Sequence, residues 1–170
     1  IDVQVTMYDQ LGSWYSDQPD FTKQENVDKF LKMDYFVDEI EEVRQKLGID
    51  DFYLIGQSWG GAITQEYALK YPKHLKGIII SSMTDNIAEY IVNINKIREH
   101  EYSKEDLDFM KECENSGDYD NERYQKLIDK LNCGYVDRKQ PPAISHLTST
   151  VATSVYNYFQ GDNEFVITGA

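Results

Sequence analysis

The fold can be worked out from one hexapeptide, Gly56-Gln57-Ser58-Trp59-Gly60-Gly61, which lies between the apolar run Phe52 to Ile55 and the helix-like segment Ala62 to Tyr71. A G-x-S-x-G turn between a strand and a helix holds its serine in a strained backbone conformation at the carboxyl end of the strand. Glycines two residues before and after the serine avoid clashes in this turn, and Gly56 and Gly60 occupy those positions. The pattern predicts a nucleophile elbow with Ser58 as the nucleophile.

The residues that follow Ser58 predict a site for a negatively charged oxygen. The first N–H groups of a helix have no partner within the helix and carry the positive end of its dipole. These groups suit the oxyanion that forms beside a serine during acyl transfer, and the backbone N–H of Trp59 is the expected donor. A plain strand-turn-helix connection with a bystander serine is the alternative, but the strand and helix around the motif favour catalysis.

Composition excludes several classes of partner. The chain has 170 residues, enough for one domain and an additional segment. Its 30 acidic and 17 basic residues give a net charge of −13, which argues against binding nucleic acid or an anionic membrane surface. The longest apolar run, Ile78 to Ile80, is far too short to span a bilayer. We therefore expect a soluble protein, and the sequence does not indicate its oligomeric state.

The two cysteines bear on redox compartment and metal binding. Cys113 and Cys133 form no CxxC pair and have no histidine at metal-ligand spacing. Two thiols in a reducing compartment are the favoured interpretation, and a disulfide is the alternative. We predict a cytoplasmic location, no metal site and no cofactor.

The first part of the chain predicts a strand, a loop and a helix. Apolar and polar residues alternate over Ile1 to Met7, as in a half-buried strand. Tyr8 to Pro19 is a polar loop at the carboxyl end of that strand, where α/β proteins bind ligands, although a connecting loop is the alternative. Thr22-x-x-Glu25 is a capping-box pattern, and apolar residues then recur at helical spacing as far as Gly48. They predict one amphipathic helix.

The elbow belongs to a predicted βαβ unit. The strand Asp51 to Ile55, the helix that ends at Tyr71 and the strand Gly77 to Ser82 are expected to form a right-handed crossover with parallel strands. The continuous apolar residues Ile78 to Ile80 predict a strand buried on both faces.

The pattern changes after Ser82, because only helical stretches follow as far as about Phe159. The predicted helices are Ile87 to His100, Lys104 to Glu114, Asn121 to Asn132 and one around Ala143 to Tyr158. The fold class is therefore α/β, with residues 1–82 as a partial α/β core, 83–160 as a helical excursion and 161–170 as a return towards the core. The acidic run between Glu99 and Glu122 is interpreted as a solvated helix face, with weak attraction for cationic substrates as the alternative.

One carboxylate near the end of the chain is a candidate ligand for an amine. Glu164 lies in a Gly-containing turn within the aromatic segment Tyr156 to Phe165. A carboxylate among aromatic side chains can hold a substrate ammonium group through charge and cation–π contact. A surface glutamate without a function is the alternative.

Three stretches together resemble the proline iminopeptidases, also called prolyl aminopeptidases. They are Tyr8 to Gly12 with Ser16 to Pro19, Leu54 to Gly61 with Tyr67-Ala68 and Tyr71-Pro72, and Gly161 to Phe165. Members of this family are α/β-hydrolase serine peptidases with a helical cap. The resemblance covers nearly the whole chain, and it implies that the protein removes an N-terminal residue, commonly proline, from a peptide.

The resemblance also implies roles for individual residues. Ser58 matches the nucleophile of the family, the Trp59 backbone N–H matches one oxyanion donor, and Glu164 matches a cap glutamate that binds the substrate α-ammonium. Residues 83–160 correspond to the helical cap. The expected partner is a peptide or aminoacyl substrate with a free N-terminus.

Two parts of the family pattern are not found in this sequence. The His-Gly-Gly-Pro-Gly oxyanion loop is expected before Ile1, and the triad Asp and His are expected after Ala170, so the chain resembles the central part of an enzyme. His74, His100 and His146 are interpreted as surface or cap histidines. An esterase or amidase of the same fold, and a non-catalytic binding protein of that fold, are the alternative functions.

Overall fold

The computed structural model describes residues 3–136 and 151–169. The chain forms two compact units. The first unit comprises residues 1–86 and 150–155, and the second comprises residues 87–149 and 156–170.

The first unit contains the predicted strand-helix-strand arrangement. Its elements are α1 (Gln24–Phe30), α2 (Met33–Lys46), β1 (Phe52–Gln57), α3 (Trp59–Lys70), a 3₁₀ turn (Pro72–His74) and β2 (Leu75–Ser81). β1 and β2 are parallel, with Phe52 opposite Leu75 and Gln57 opposite Ser81. α3 packs on both strands and α2 packs on α3. The α/β fold class and the parallel pairing are thereby confirmed.

A buried ion pair within α2 is linked to α3 by a tyrosine hydroxyl. The Glu41 carboxylate accepts hydrogen bonds from Arg44 Nε at 2.9 Å and Nη2 at 2.7 Å, and from the Tyr67 hydroxyl at 2.7 Å. Tyr67 is fully buried, and the Glu41 and Arg44 side chains are only 12% and 11% exposed. The hydrogen bonds from Arg44 lower the pKa of Glu41 to about 2. The carboxylate is therefore ionised at neutral pH, and its bond with Tyr67 fixes the position of α3 relative to α2.

The helix predicted between Thr22 and Gly48 is two helices, so the prediction of one continuous helix is wrong. The chain leaves the helical conformation at Leu31 and Lys32, with φ −82° and ψ 67° at Leu31 and φ −134° and ψ 138° at Lys32. Leu31 is buried at this break, so its apolar side chain belongs to the core although its backbone is not helical. Sequence periodicity reports burial, and it does not detect a break that keeps the same side chains inside.

Of the two helix ends that the sequence predicts, the start differs from the prediction and the end agrees with it. α1 begins at Gln24 without a side-chain cap, because the Thr22 hydroxyl bonds to Asp20 Oδ1 at 2.6 Å. The end at Gly48 is as predicted, since its φ is +63° and its N–H donates to Gln45 O at 3.1 Å.

Two expectations about strands are wrong. Residues 3–7 form no strand, and Val3 and Met7 are 74% and 89% exposed. Ile78, Ile79 and Ile80 lie in β2 as predicted, but they are 39%, 51% and 39% exposed and so are not buried on both faces. A strand needs a hydrogen-bonded neighbour and a covered face, and the described sheet consists of β1 and β2 alone.

The second unit is helical. Its elements are α4 (Ile87–Glu101), α5 (Lys104–Ser116), α6 (Glu122–Leu131) and a π-helical turn (Asn132–Val136), and α7 (Thr153–Phe159) starts in the first unit and ends in the second. The first three agree closely with the predicted helices. Of the fourth, Ala143 to Tyr158, residues 143–150 lie outside the described residues, and the described part is helical from Thr153. No helix in the described ranges is both long and apolar enough to cross a membrane.

Side chains of α4, α5 and α6 form one apolar cluster in the second unit. Its buried members are Ile94, Tyr102, Met110, Cys113, Tyr124, Ile128, Leu131 and Phe165. Cys113 is therefore a core residue, whereas Cys133 is exposed, and no disulfide joins these two described residues. The two cysteines are free thiols, as predicted, and the reducing compartment stays a prediction.

Replacing Glu41 with glutamine tests the link between α2 and α3. We expect Glu41→Gln to lower the free energy of unfolding at neutral pH by about 2–3 kcal/mol, because Arg44 loses its charged partner. The pKa of Glu41 is lower in the folded state, so its contribution is present above the ordinary value of 4.5 and is lost as pH falls towards about 2.

Urea unfolding of the complete gene product at a series of pH values measures both effects. Glu66→Gln, which changes an exposed carboxylate on α3, is the matched control and is expected to be neutral. Equal stabilities and equal pH dependences of Glu41→Gln and the wild type would contradict the assignment.

Candidate functional site

Ser58 lies at the junction of β1 and α3, in a backbone conformation that side chains rarely adopt. It follows Gln57, the last residue of β1, and precedes Trp59, the first residue of α3. Its φ is 52° and its ψ is −122°. Such a conformation costs a non-glycine residue about 1–3 kcal/mol and persists only where the surrounding structure fixes it. The backbone geometry is that expected of an elbow.

Hydrogen bonds on both sides of Ser58 maintain this conformation. Its N–H donates to Ser81 O at the end of β2, at 2.9 Å, and its carbonyl accepts from Gly61 N at 2.7 Å. The strand pairing and the first turn of α3 thus meet at the same residue. The serine is half-buried.

The positions around Ser58 at which a close contact requires glycine are not the two that the sequence predicts. A Cβ on Gly56 would lie 2.0 Å from Gly60 O and 2.4 Å from Thr64 Oγ1, so glycine is required there, as predicted. A Cβ on Gly60 would have nothing within 4 Å, and the prediction that Gly60 avoids a clash is wrong. The second tight position is Gly61, where a Cβ would lie 2.7 Å from Met83 Cβ. β1 approaches the backbone of α3 at Gly56, and the segment after β2 approaches it at Gly61.

Trp59 lies directly after Ser58, as the first residue of the 12-residue helix α3. A role for its backbone N–H as an oxyanion donor stays a prediction. Its indole packs edge-to-face on Phe36, with ring centroids 5.6 Å apart. The ring contact anchors the start of α3 to α2, and the helix dipole places partial positive charge beside Ser58.

His74 is too far along the sheet to be the base for Ser58. It immediately precedes β2, and Leu75 pairs with Phe52 at the beginning of β1. Ser58 is six residues beyond Phe52 along β1, which corresponds to about 20 Å at 3.3 Å per residue. His100 is 82% exposed in the second unit, 3.3 Å from Glu101 Oε1, and His146 lies outside the described residues. His100 is thus a surface residue, as predicted, whereas His74 is half-buried.

Glu164 lies in the second unit, where one tyrosine donates a hydrogen bond to its side chain and another donates to its backbone carbonyl. The Tyr156 hydroxyl donates to Glu164 Oε1 at 2.9 Å, and the Tyr90 hydroxyl donates to Glu164 O at 3.2 Å. Burial, together with the charge of Glu164, raises the pKa of Tyr156 and of Tyr90, so both phenols remain donors at neutral pH. A carboxylate oriented in this way, beside aromatic rings, can accept an ammonium group.

Sequence reasoning missed the residues that support these positions. Tyr156 belongs to the aromatic segment around Glu164, but the 74-residue separation of Tyr90 from Glu164 gives no local signal. The same holds for Glu39 in α2, whose Oε1 accepts the Leu11 N–H at 3.0 Å and fixes the loop after Met7. Burial raises the pKa of Glu39. A ligand role for that loop stays a prediction.

Known sequences and structures resemble the chain over most of its length. A family model described as the alpha/beta hydrolase fold matches residues 2–98. The proline iminopeptidase of Flavobacterium johnsoniae is 34% identical over 169 residues, which are 95% of this chain and 54% of that protein. The proline iminopeptidase of Elizabethkingia meningoseptica is 38% identical over 162 residues, which are 92% of this chain and 52% of that protein. The chain thus spans about half the length of these curated relatives.

Solved structures show the same fold. The crystal structure of VinJ matches with a TM-score of 0.80 and 24% identity, over 94% of this chain and 54% of that one. The crystal structure of the proline iminopeptidase of Mycobacterium smegmatis matches with a TM-score of 0.68 and 25% identity, over 83% of this chain and 48% of that one.

Alanine at the two glycines of the motif tests the geometry of the elbow. We expect Gly56→Ala to lower the free energy of unfolding by at least about 2 kcal/mol, because its methyl group meets backbone atoms that cannot give way. Gly60→Ala is the matched control, and it should leave stability unchanged or raise it by up to about 1 kcal/mol, since alanine favours the helix. Urea unfolding measures the free energy of unfolding of both variants. Equal decreases in the two variants would contradict the described geometry.

The local geometry and the comparisons agree on the fold family. A parallel strand, a serine at positive φ and a helix follow one another in the first unit, and the family model covers this whole arrangement. The chain belongs to the α/β-hydrolase family and resembles its proline iminopeptidases.

Proposed function

We propose that this chain belongs to a serine aminopeptidase that releases an N-terminal residue, with proline preferred, through an acyl-enzyme on Ser58. The observation that carries the proposal is the strained backbone of Ser58, fixed by Ser81 O at the carboxyl end of a parallel strand. Non-glycine residues with such a strained backbone are common at functional sites, where the surrounding structure compensates for the strain. The names of the relatives support the same reaction.

The proposed reaction starts with attack by Ser58 Oγ on the carbonyl carbon of the N-terminal residue. The carbonyl oxygen becomes an oxyanion, and the Trp59 backbone N–H at the start of α3 stabilises it as one donor. Collapse of this intermediate releases the shortened peptide and leaves the N-terminal residue esterified to Ser58. Water then hydrolyses the ester and frees the amino acid. A general base must accept the Ser58 proton, and His74 lies too far away for that role.

Glu164 is the proposed receptor for the substrate ammonium group. An enzyme that removes one residue at a time must recognise a free N-terminus, and a carboxylate provides the complementary charge. Tyr156 already orients one oxygen of this carboxylate by donating to it at 2.9 Å. A substrate without the amine would leave the carboxylate without its cation, so free-amine substrates should be favoured.

The second unit is proposed to be the substrate-selecting cap. Residues 83–160 were predicted as an excursion from the α/β core, and the described parts of this range are largely helical. The proposed partner is a peptide with a free N-terminus, which agrees with the net charge of −13. A cytoplasmic location stays a prediction.

Replacing Ser58 with alanine in the complete gene product tests the proposed nucleophile. We expect the wild type to hydrolyse the proline amide of a fluorescent aminocoumarin, and Ser58→Ala to lower kcat/KM by about 10⁴ to 10⁶-fold, because the attacking hydroxyl is lost. Ser116→Ala, at the exposed end of α5, is the matched control and should retain full activity.

The substrate range separates this function from its alternatives. A wild type that hydrolyses simple esters but no aminoacyl substrate would indicate an esterase. A folded wild type that hydrolyses neither would indicate a binding protein, and both results contradict the proposed peptidase.

A further inference from the structure

The turn that carries Glu164 is attached to the helices of the second unit by a chain of buried and half-buried polar groups. We propose that Arg98, Glu114, Tyr124 and Asn163 form a positioning relay that fixes the Glu164 carboxylate for binding the substrate amine. The inference rests on the proposed function of Glu164, and it adds four residues on three helices and one turn that do not touch the substrate in this role.

The relay begins with an ion pair between helices α4 and α5. Arg98 Nη2 donates to Glu114 Oε1, and the two side chains are only 8% and 14% exposed. Arg98 is one of the few charged residues that the described structure buries. Removing a charge from water is costly unless its partner is fixed in good geometry, so this pair holds α4 and α5 in one arrangement.

Tyr124 of α6 connects this ion pair to the turn. Its ring is fully buried, and its hydroxyl donates to the same Glu114 oxygen at 3.3 Å. Because the phenol proton is directed at Glu114, the phenol oxygen is available as an acceptor. Asn163 Nδ2 donates to that oxygen at 3.1 Å. Burial raises the pKa of Tyr124, so the hydroxyl remains protonated across the ordinary pH range.

The amide of Asn163 has one orientation that satisfies both of its neighbours. Its Oδ1 accepts the backbone N–H of Phe165 at 2.9 Å while its Nδ2 reaches Tyr124. A flipped amide would turn its NH₂ group to a backbone donor and its oxygen to a phenol whose proton is already used. The Asn163 side chain therefore reaches past Glu164 and binds the backbone N–H of Phe165, the residue that follows Glu164.

The residues on both sides of Glu164 are thus anchored to the same cluster. Asn163 is bound to Tyr124, and the Phe165 side chain is buried in the cluster that contains Tyr124. Tyr90 fixes the Glu164 carbonyl and Tyr156 its carboxylate. Such complete restraint is more than a surface turn needs, and a charged receptor must be preorganised to bind strongly.

The test compares a substrate that has the amine with an ester substrate that lacks it. The first is the proline amide of an aminocoumarin, and the second is a coumarin ester of cyclopentanecarboxylic acid, which keeps the ring but has no nitrogen. For Tyr124→Phe in the complete gene product we expect KM for the proline substrate to rise about five- to tenfold, with kcat changed less than about twofold. Hydrolysis of the cyclopentane ester should be unchanged.

Two further variants make the test specific. Tyr102→Phe is the matched control, because it also removes a buried phenol hydroxyl bonded to α6, at Leu127 O, but outside the relay. It should leave KM for both substrates unchanged. Asn163→Ala lies nearer the surface and should reproduce the effect of Tyr124→Phe, so the test stands if Tyr124→Phe does not fold.

Glu164→Gln separates failure of the relay from failure of the proposed function. If Glu164→Gln raises KM for the proline substrate but Tyr124→Phe and Asn163→Ala do not, the relay is wrong and the amine receptor stands. If the relay variants lower activity on both substrates equally, their role is only structural and the inference is overturned. If the wild type does not hydrolyse the proline substrate, or Glu164→Gln has no effect on it, the proposed function of Glu164 fails and the relay with it.

Discussion

The hydrogen bond from the Ser58 N–H to the Ser81 carbonyl connects the end of one parallel strand to the end of the other. It fixes the residue at which the chain turns from β1 into α3, and it does so in a region of φ and ψ that only external restraint maintains. Other features of the first unit serve the same geometry. Gly56 lets α3 start against β1, and the ion pair of Glu41 and Arg44 holds α3 through the Tyr67 hydroxyl.

The second unit uses a different physical device for a similar purpose. Glu164 is not at positive φ, and its position is set by hydrogen bonds from tyrosines and by the anchored residues beside it. In the first unit, a hydrogen bond from the end of the sheet maintains the strained backbone of Ser58. In the second unit, the ion pair of Arg98 and Glu114 anchors a network of polar side chains. Each device limits the positions open to one functional group, which is what the proposed catalysis requires of a nucleophile and of an amine receptor.

Local signals in the sequence were sufficient for part of this structure. The elbow, the parallel pairing of β1 and β2 and helices α4 to α6 follow from spacing and turn residues within a few positions of each other. The break at Leu31 was not predictable, because that side chain stays buried while its backbone leaves the helix. The exposure of Ile78 to Ile80 depends on what covers the sheet, and a run of apolar residues does not contain that information.

The supports of the candidate site were hidden for a related reason. Tyr90 reaches Glu164, and Tyr124 reaches Asn163, across 74 and 39 residues of sequence. Tyrosines in helices at apolar spacing are read as core residues, and here their rings are indeed packed in the cluster while their hydroxyls bind the turn. The requirement for glycine at Gly61 instead of Gly60 is likewise set by a contact with Met83, which is distant in sequence.

Covalent labelling gives the most direct evidence on Ser58 as a nucleophile. The complete gene product would be treated with a fluorophosphonate, which forms a stable ester with an activated serine, and then digested with trypsin for mass spectrometry. The account predicts a single adduct, in the tryptic peptide of residues 47–70, on Ser58, and none in the Ser58→Ala variant. An adduct on a different serine, or no adduct on the folded protein, would contradict it.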